Sequence, residues 1–331
     1  MQSMLRQFKK LPGIRSIIPD QGSRIFSPGI CSIGILSDEV CLAYAQYSEG
    51  KIELQFIETY LYKNINEFSR TLSAAIKRHQ LEGVPCRWVL PPERYQALLI
   101  DALPVKESEF QSAIRWKIKS LLQYPEDDVV IDSFPLPLQK THDPREMIIA
   151  VTAQVSFLQP YIDKIRESGL QLNIIDIQQL ALRNITSLFE DDEKTTALIY
   201  LRDKASELII TCQKDLYFHR HLELDLSTAT QTANLNDENA PNPELDRTAL
   251  ELQRSFDYYQ SQWRKPAPAR VLLATATKTG TAIATYLSNR LAFPIQLLDI
   301  HANIKSKQAL NMEDQGRYLS VIGALLRNES P

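Results

Sequence analysis

ICSIGILSDEVCLAYAQYSEGKIELQFIETY, Ile30 to Tyr60, is three apolar runs parted by two polar turns. The runs are rich in β-branched and aromatic residues. The turns are Ser37-Asp38-Glu39 and Ser48-Glu49-Gly50-Lys51, so the stretch reads as a three-stranded β-meander. ALIYLRDKASELIITCQKDLYFHRHLEL, Ala197 to Leu224, repeats that pattern. The same unit in each half of a chain points to an internal duplication. Neither first turn, Leu36-Ser37-Asp38 or Tyr200-Leu201-Arg202-Asp203, contains a glycine.

Outward from each meander, helix and strand patterns alternate. Ile65 to Gln80 places Ile65, Phe68, Leu72, Ala75 and Ile76 at helical spacing, with Gly83 as the expected stop. Cys86 to Leu90 reads as a short strand ended by Pro91-Pro92. Ser108 to Tyr124 is helical, and Ser108 with Gln111 fits a capping box. Ile131 to Phe134 and Met147 to Thr152 read as paired strands around the loop Gln139 to Arg145. A helix Gln154 to Ser168, a strand Leu170 to Asp176 and a helix Ile177 to Phe189 follow. After the second meander come the loop Thr230 to Pro243 and the helix Leu245 to Trp263. The strand Val271 to Ala274, helix Thr281 to Leu291, strand Ile295 to Leu298 and helix Gln315 to Arg327 complete the chain. The pattern predicts a layered α/β protein with helices covering the sheets. Two such halves are expected to hold a ligand in the cleft between them. Residues 1–28 form an arm in which Leu5, Phe8 and Ile14 alternate with Arg6, Lys9, Lys10 and Arg15, broken by Pro12 and Pro19.

Composition narrows the function classes. The 331 residues suit two domains, and a net charge of −3 gives no basic field for nucleic acid. No apolar run approaches the ~20 residues of a membrane span, and the N-terminus lacks a signal-peptide pattern, so a cytosolic protein is expected. Cys31, Cys41, Cys86 and Cys212 are scattered and read as small buried apolar residues. His219 and His221 share a strand face without a visible third ligand, so no metal is expected. Asp127-Asp128, Asp132 and Asp191-Asp192-Glu193 read as surface charge rather than acid–base pairs, and no catalytic residue is assigned. Trp116 and Trp263 read equally as packing residues or partner anchors.

Over Ile30 to Arg327 the chain resembles the PilM group of actin-like proteins of type IV pilus assembly, and within it the MshI branch of the MSHA pilus. Val89 to Asp132 looks like that family's extra subdomain, with a strand closing on Leu103-Pro104 and a helix closing on Tyr124-Pro125. Leu170 to Leu182 is similar to the join between its halves, and Leu250 to Tyr259 to its long second-half helix. Val271 to Leu291 resembles its adenosine segment, and Tyr318 to Leu326 its terminal helix. The resemblance implies a duplicated actin-like, ribonuclease H-like α/β fold with two halves around a cleft. The first half would be 29–176, with the extra small α/β subdomain at about 50–135 and the C-terminal helix 315–327. The second would be 177–314. It also implies a cytoplasmic scaffold, peripheral to the bacterial inner membrane. Its partner would be an inner-membrane pilus assembly protein of the PilN/MshJ type, held by its cytoplasmic tail. A second contact would be the pilus assembly ATPase complex.

Nucleotide-binding members of the family carry an acidic residue and a nearby glycine in each meander's first turn. The glycine admits phosphate to backbone N–H groups, and the acid holds the hydrated Mg²⁺. Here those positions fall on Leu36, Ser37 and Asp38, and on Tyr200, Arg202 and Asp203. Thr275, Ala276 and Thr277 stand where paired glycines face the base. The departures imply a degenerate nucleotide site, no cofactor and no ATPase activity. Two alternatives stay open: an ATPase that binds or hydrolyses Mg-ATP through unconventional turns, and the actin-like cytoplasmic domain of a type II secretion protein.

Overall fold

A computed structural model describes residues 29–327 except 37, 49–50, 104, 138–145, 192, 204–205, 232–240 and 292. The arm 1–28, Ser37 and most of the loops 139–145 and 230–243 lie outside the described residues.

The first meander is β1 (Gly29–Ile35), β2 (Glu39–Ser48) and β3 (Lys51–Leu61). Helix α1 (Ile65–Arg78) buries Phe68, Leu72, Ala75 and Ile76, as the apolar spacing requires. Asn64 caps it by accepting from Asn66 N and Glu67 N at 3.1 and 3.0 Å. Its stop is not Gly83. Gln80 takes the left-handed conformation, φ 55°, and lets Leu81 N return to Ile76 O at 2.9 Å. After β4 (Pro85–Leu90) come β5 (Tyr95–Asp101), α2 (Glu107–Ile118), β6 (Val129–Pro135) and β7 (Met147–Gln154). The capping box does not form. Helix α2 opens at Glu107 after Lys106, so Ser108 already lies inside the first turn. Then follow α3 (Val155–Glu167), β8 (Gln171–Ile177) and α4 (Gln178–Thr186).

The second meander is β9 (Thr196–Leu201), β10 (Glu207–Cys212) and β11 (Asp215–His221). Next are α5 (Leu226–Gln231), α6 (Pro243–Trp263), β12 (Arg270–Thr275), α7 (Gly280–Leu291), β13 (Ile295–Leu297), β14 (Lys305–Ser306) and α8 (Met312–Leu325).

The strand orders carry the duplication. One sheet runs β14-β3-β2-β1-β4-β8, the other β11-β10-β9-β12-β13. Set aside β14, and each is a meander whose first strand continues into two further strands. β4 pairs parallel with both β1 and β8, as β12 does with β9 and β13. Parallel strands need crossovers, which is why helices interrupt the chain between them. β9 and β10 are buried along their whole length, the mark of strands covered on both faces.

The chain divides into two compact units. The first takes in the described residues up to Val40, from Thr59 to Pro137 and from Glu146 to Ile177. The second takes in Cys41–Glu58 and the described residues from Gln178 onward. These units differ from the implied halves: strands 41–58 and helix α8 go with the second. In that unit α8 packs on α4 and β12. Gly323 lies against the Ala181 carbonyl and Gly316 against the Thr275 carbonyl.

Within the first unit, β5-β7-β6 form a separate antiparallel sheet. Helix α2 covers one face of it, where Phe110, Ile114 and Ile118 meet Ile100, Val129, Ile131, Ile148 and Ala150. In the second unit, α6 and α7 bring Leu245, Leu252, Phe256, Ile283 and Leu287 onto Ala197, Ile199 and Leu273.

Candidate functional site

The first turn follows β1. Leu36 N donates to Glu39 O at 2.9 Å, and Tyr62 N donates to Asp38 O at 2.9 Å. Tyr62 also donates its hydroxyl to Leu36 O. Its ring is buried, edge-on to Phe68 at 5.3 Å, and Phe68 meets Tyr161 at 5.2 Å. Burial, with help from the Tyr161 hydrogen bond, holds the Tyr62 hydroxyl far above the usual phenol range, so it remains a donor. One tyrosine thus ties down both ends of the turn. Asp38 is exposed, and Ser37 lies outside the described residues.

The second turn is closed differently. Tyr200 is fully buried at the end of β9, and its hydroxyl donates to Gly316 O of α8 at 3.0 Å. Arg202 N donates to Ser206 Oγ at 2.9 Å, and Ser206 Oγ returns a bond to Arg202 O at 2.7 Å. Asp203 is exposed. Beside this turn, Glu207 is buried opposite Tyr200 in the strand register. Its Oε1 accepts from Gln179 Nε2 at 2.6 Å, while Oε2 has no hydrogen-bond partner among the described residues. Burial pushes its carboxyl up to about 8 against the lowering pull of Gln179 and Gln178, so it is mostly protonated at neutral pH.

The third segment ends β12. Thr275 is buried, and a Cβ on Gly316 would collide with its carbonyl group and come within 2.8 Å of Ala276 N. Helix α8 therefore lies directly on the backbone of Thr275 and Ala276. Thr277 Oγ1 accepts from Thr279 N at 2.9 Å and pairs with the Thr279 hydroxyl, folding the turn before α7 onto itself. Ala276 and Thr277 are half-buried.

An anion-binding turn works by pointing unspent backbone N–H groups at a phosphate. Here Leu36 N, Arg202 N and Thr279 N each donate within the protein. In the second unit the structure gathers Tyr200, Thr275 and Ala276 around Gly316. In the first it gathers Leu36 and Asp38 around Tyr62. Sequence does not single out Tyr62 and Gly316, which act on segments 26 and 116 residues away, nor Ser206 and Glu207, whose local roles depend on the folded turn. The signal that could point to Gly316 is its place, with Gly323, inside a helical pattern, where glycine marks close backbone approach.

Burial pulls His219 down to about 4. Among the described residues no three His, Cys, Asp or Glu side chains gather where a metal ion would sit. Asp128 receives Ser156 N at 2.8 Å, Ser156 Oγ at 2.6 Å and Gln154 Nε2 at 2.8 Å, and so caps α3 from a distant turn. Those bonds hold its carboxyl below the usual range. Trp263 is core, while Trp116 stands 79% exposed on α2.

The small sheet offers a second surface. Among the described residues β5 and β6 each pair only with β7, leaving each of them an outer edge. Opposite the α2 face, Leu99 and Phe134 both pair with Ile149, and Leu99 is 51% exposed. Behind them, Arg115 holds Glu126 O and Val129 O at 2.8 and 3.2 Å and fixes the turn that leads into β6.

No family model matches the chain, and no curated protein matches it. Solved structures do. A chain of a "PilM-PilN type IV pilus biogenesis complex" is similar at a TM-score of 0.66 and 16% identity, over 91% of this chain and 99% of that one. The cytoplasmic domain of EpsL, an inner-membrane component of the type II secretion system of Vibrio cholerae, gives 0.46 and 10% over 91% and 96%. A Bacteroides thetaiotaomicron protein of unknown function with an actin-like ATPase fold gives 0.46 and 10% over 89% and 98%. The fold of this chain is the actin-like fold. No helix among the described residues is long and apolar enough to cross a membrane.

Proposed function

We propose that this chain is a cytoplasmic scaffold of a type IV pilus assembly machine, of the MshI kind. It would hold the cytoplasmic tail of a PilN-type inner-membrane partner and sit at the membrane through that partner. It is not an ATPase in this reading: its nucleotide positions have become structural. The observation that carries the reading is the closure of these positions by the protein's own groups. Tyr62 takes Leu36 O, Ser206 takes Arg202 N, and α8 lies on Thr275 with Tyr200 bonded to Gly316 O. Support for the partner class is that a similar chain, matched over 99% of its length, comes from a complex with PilN.

The tail would bind as an extended peptide beside the small sheet, in the region of Val89 to Asp132. A sheet edge supplies main-chain bonds, and exposed side chains such as Leu99 supply selectivity. Deleting that whole region would also remove Leu90 of β4, a buried core residue, so a point substitution is the cleaner probe. Titration calorimetry with a synthetic copy of the tail should show binding. Leu99→Asp should weaken it by about tenfold or more. Unchanged affinity in a folded Leu99→Asp protein would remove this surface from the proposal.

A further inference from the structure

Cys212 ends β10, and its thiol is closed to solvent. Lys265 lies in the turn after α6, and its Nζ donates to Cys212 Sγ at 3.3 Å. The same ammonium sits over the Tyr217 ring, 4.6 Å from the centroid. Tyr217 is in turn packed edge-on to Trp263 at 6.1 Å, and Trp263 stacks on Tyr259 at 5.7 Å. The Cys212 sulfur also donates to Glu193 O at 3.5 Å.

Both partners are held by backbone of unusual conformation. The β10–β11 hairpin turns on Gln213 and Lys214, at φ 53° and 64°, and Arg264 leaves α6 at φ 49°. Hairpins of this twist ordinarily use Asn-Gly or Asp-Gly, and a helix exit of this kind ordinarily uses glycine. Three side-chain-bearing residues in left-handed conformation thus fix an amine against a sulfur. An oxidised cysteine sulfur is an electrophile, and a nitrogen nucleophile beside it captures it as a sulfenamide.

We propose that Cys212 and Lys265 form a peroxide-sensitive covalent clasp joining the β10–β11 hairpin to the turn after α6. The oxidant is hydrogen peroxide, reaching the sulfur during local opening of the hairpin. The Cys212 sulfur attacks the peroxide. An S–O bond forms, the O–O bond breaks, and water leaves, so sulfur is oxidised by two electrons as peroxide is reduced. The Lys265 ammonium then releases a proton to solvent, and the free amine attacks sulfur. The S–N bond forms, the S–O bond breaks, and a second water leaves. The net change in the protein is the loss of two hydrogens, and thiols reverse it. In the reduced chain the same pair is a hydrogen bond and nothing more.

The test is a peptide map of the unmodified full chain after treatment with dilute hydrogen peroxide, with and without dithiothreitol. The expected result is a linked pair of peptides containing Cys212 and Lys265, lighter than their sum by two hydrogens and lost on reduction. The clasped protein should melt roughly 5 °C higher. In Lys265→Arg, which keeps the charge but has no amine to condense, Cys212 should instead be trapped by dimedone as its sulfenic acid. The map on the natural chain stands whether or not that variant folds. Cys212 left untouched by peroxide, or oxidised to the same acids with no link to Lys265, would overturn the clasp.

Discussion

Gly316→Ala destabilises the second unit by about 3 kcal/mol, read as a lower urea midpoint, because the new methyl group has nowhere to go. Its Cβ would overlap the Thr275 carbonyl and lie 2.8 Å from Ala276 N. Those are backbone atoms of β12, which pairs with β9 through Ala274 and Tyr200 and cannot retreat without breaking the sheet. Helix α8 has to lift instead. Lifting stretches the bond from Tyr200 to Gly316 O and loosens Gln315, whose Nε2 holds Asp299 Oδ1 at 3.0 Å and Leu310 O at 3.1 Å. Gly323→Ala acts at the other end of the helix, against Ala181 C at 2.7 Å and Ile185 Cγ1 at 3.2 Å. A Gly316→Ala protein with unchanged stability would mean that α8 does not rest on β12 in solution.

Glu207→Gln makes the protein more resistant to alkali, and the effect follows from linkage. The carboxyl of Glu207 titrates at about 8 in the folded chain and at its ordinary value of 4.5 when unfolded. A raised carboxyl contributes stability that is present in full below 4.5 and is lost as pH rises through about 8. The folded state binds the extra proton between those values, so wild-type stability should fall with pH across that window. The gap corresponds to a loss on the order of 4 kcal/mol between pH 4 and pH 9. The Gln side chain has no proton to lose, and its oxygen still accepts from Gln179. Urea midpoints measured from pH 4 to 9 should therefore converge at acid pH and separate at alkaline pH, with the variant above. Parallel curves would show that Glu207 is hydrated and ordinary.

Much of the fold is legible in the sequence because its signals are local. Two meanders announce themselves by apolar, β-branched runs and polar turns, and the matching strand orders follow from two copies of one chain path. Helix faces such as Phe68, Leu72 and Ile76 are fixed by spacing alone. What escapes is anything that one segment does to another. Asp128 caps a helix that begins 27 residues later, and nothing near Val155 signals it. Ser108 and Gln111 satisfy a capping pattern, yet the helix starts two residues too early to use it. Gln80 rather than Gly83 turns the chain after α1, since the left-handed position falls where the last helical carbonyls need it. At the candidate site, the absence of glycine from the turns is plain in the sequence. The groups that close them, Tyr62, Ser206 and α8, are visible only once the chain is folded.

That closure carries the proposed function, and nucleotide tests it most directly. The measurement is the melting temperature of the full chain with millimolar Mg-ATP. A ligand at 100 times its Kd adds roughly 2.7 kcal/mol of stability, which appears as a rise of several degrees. With Leu36, Arg202 and Thr279 amides already spent and Tyr200 bonded to Gly316, the expected result is no rise. A saturable rise that depends on Mg²⁺ would contradict the account and restore an ATP site to this fold.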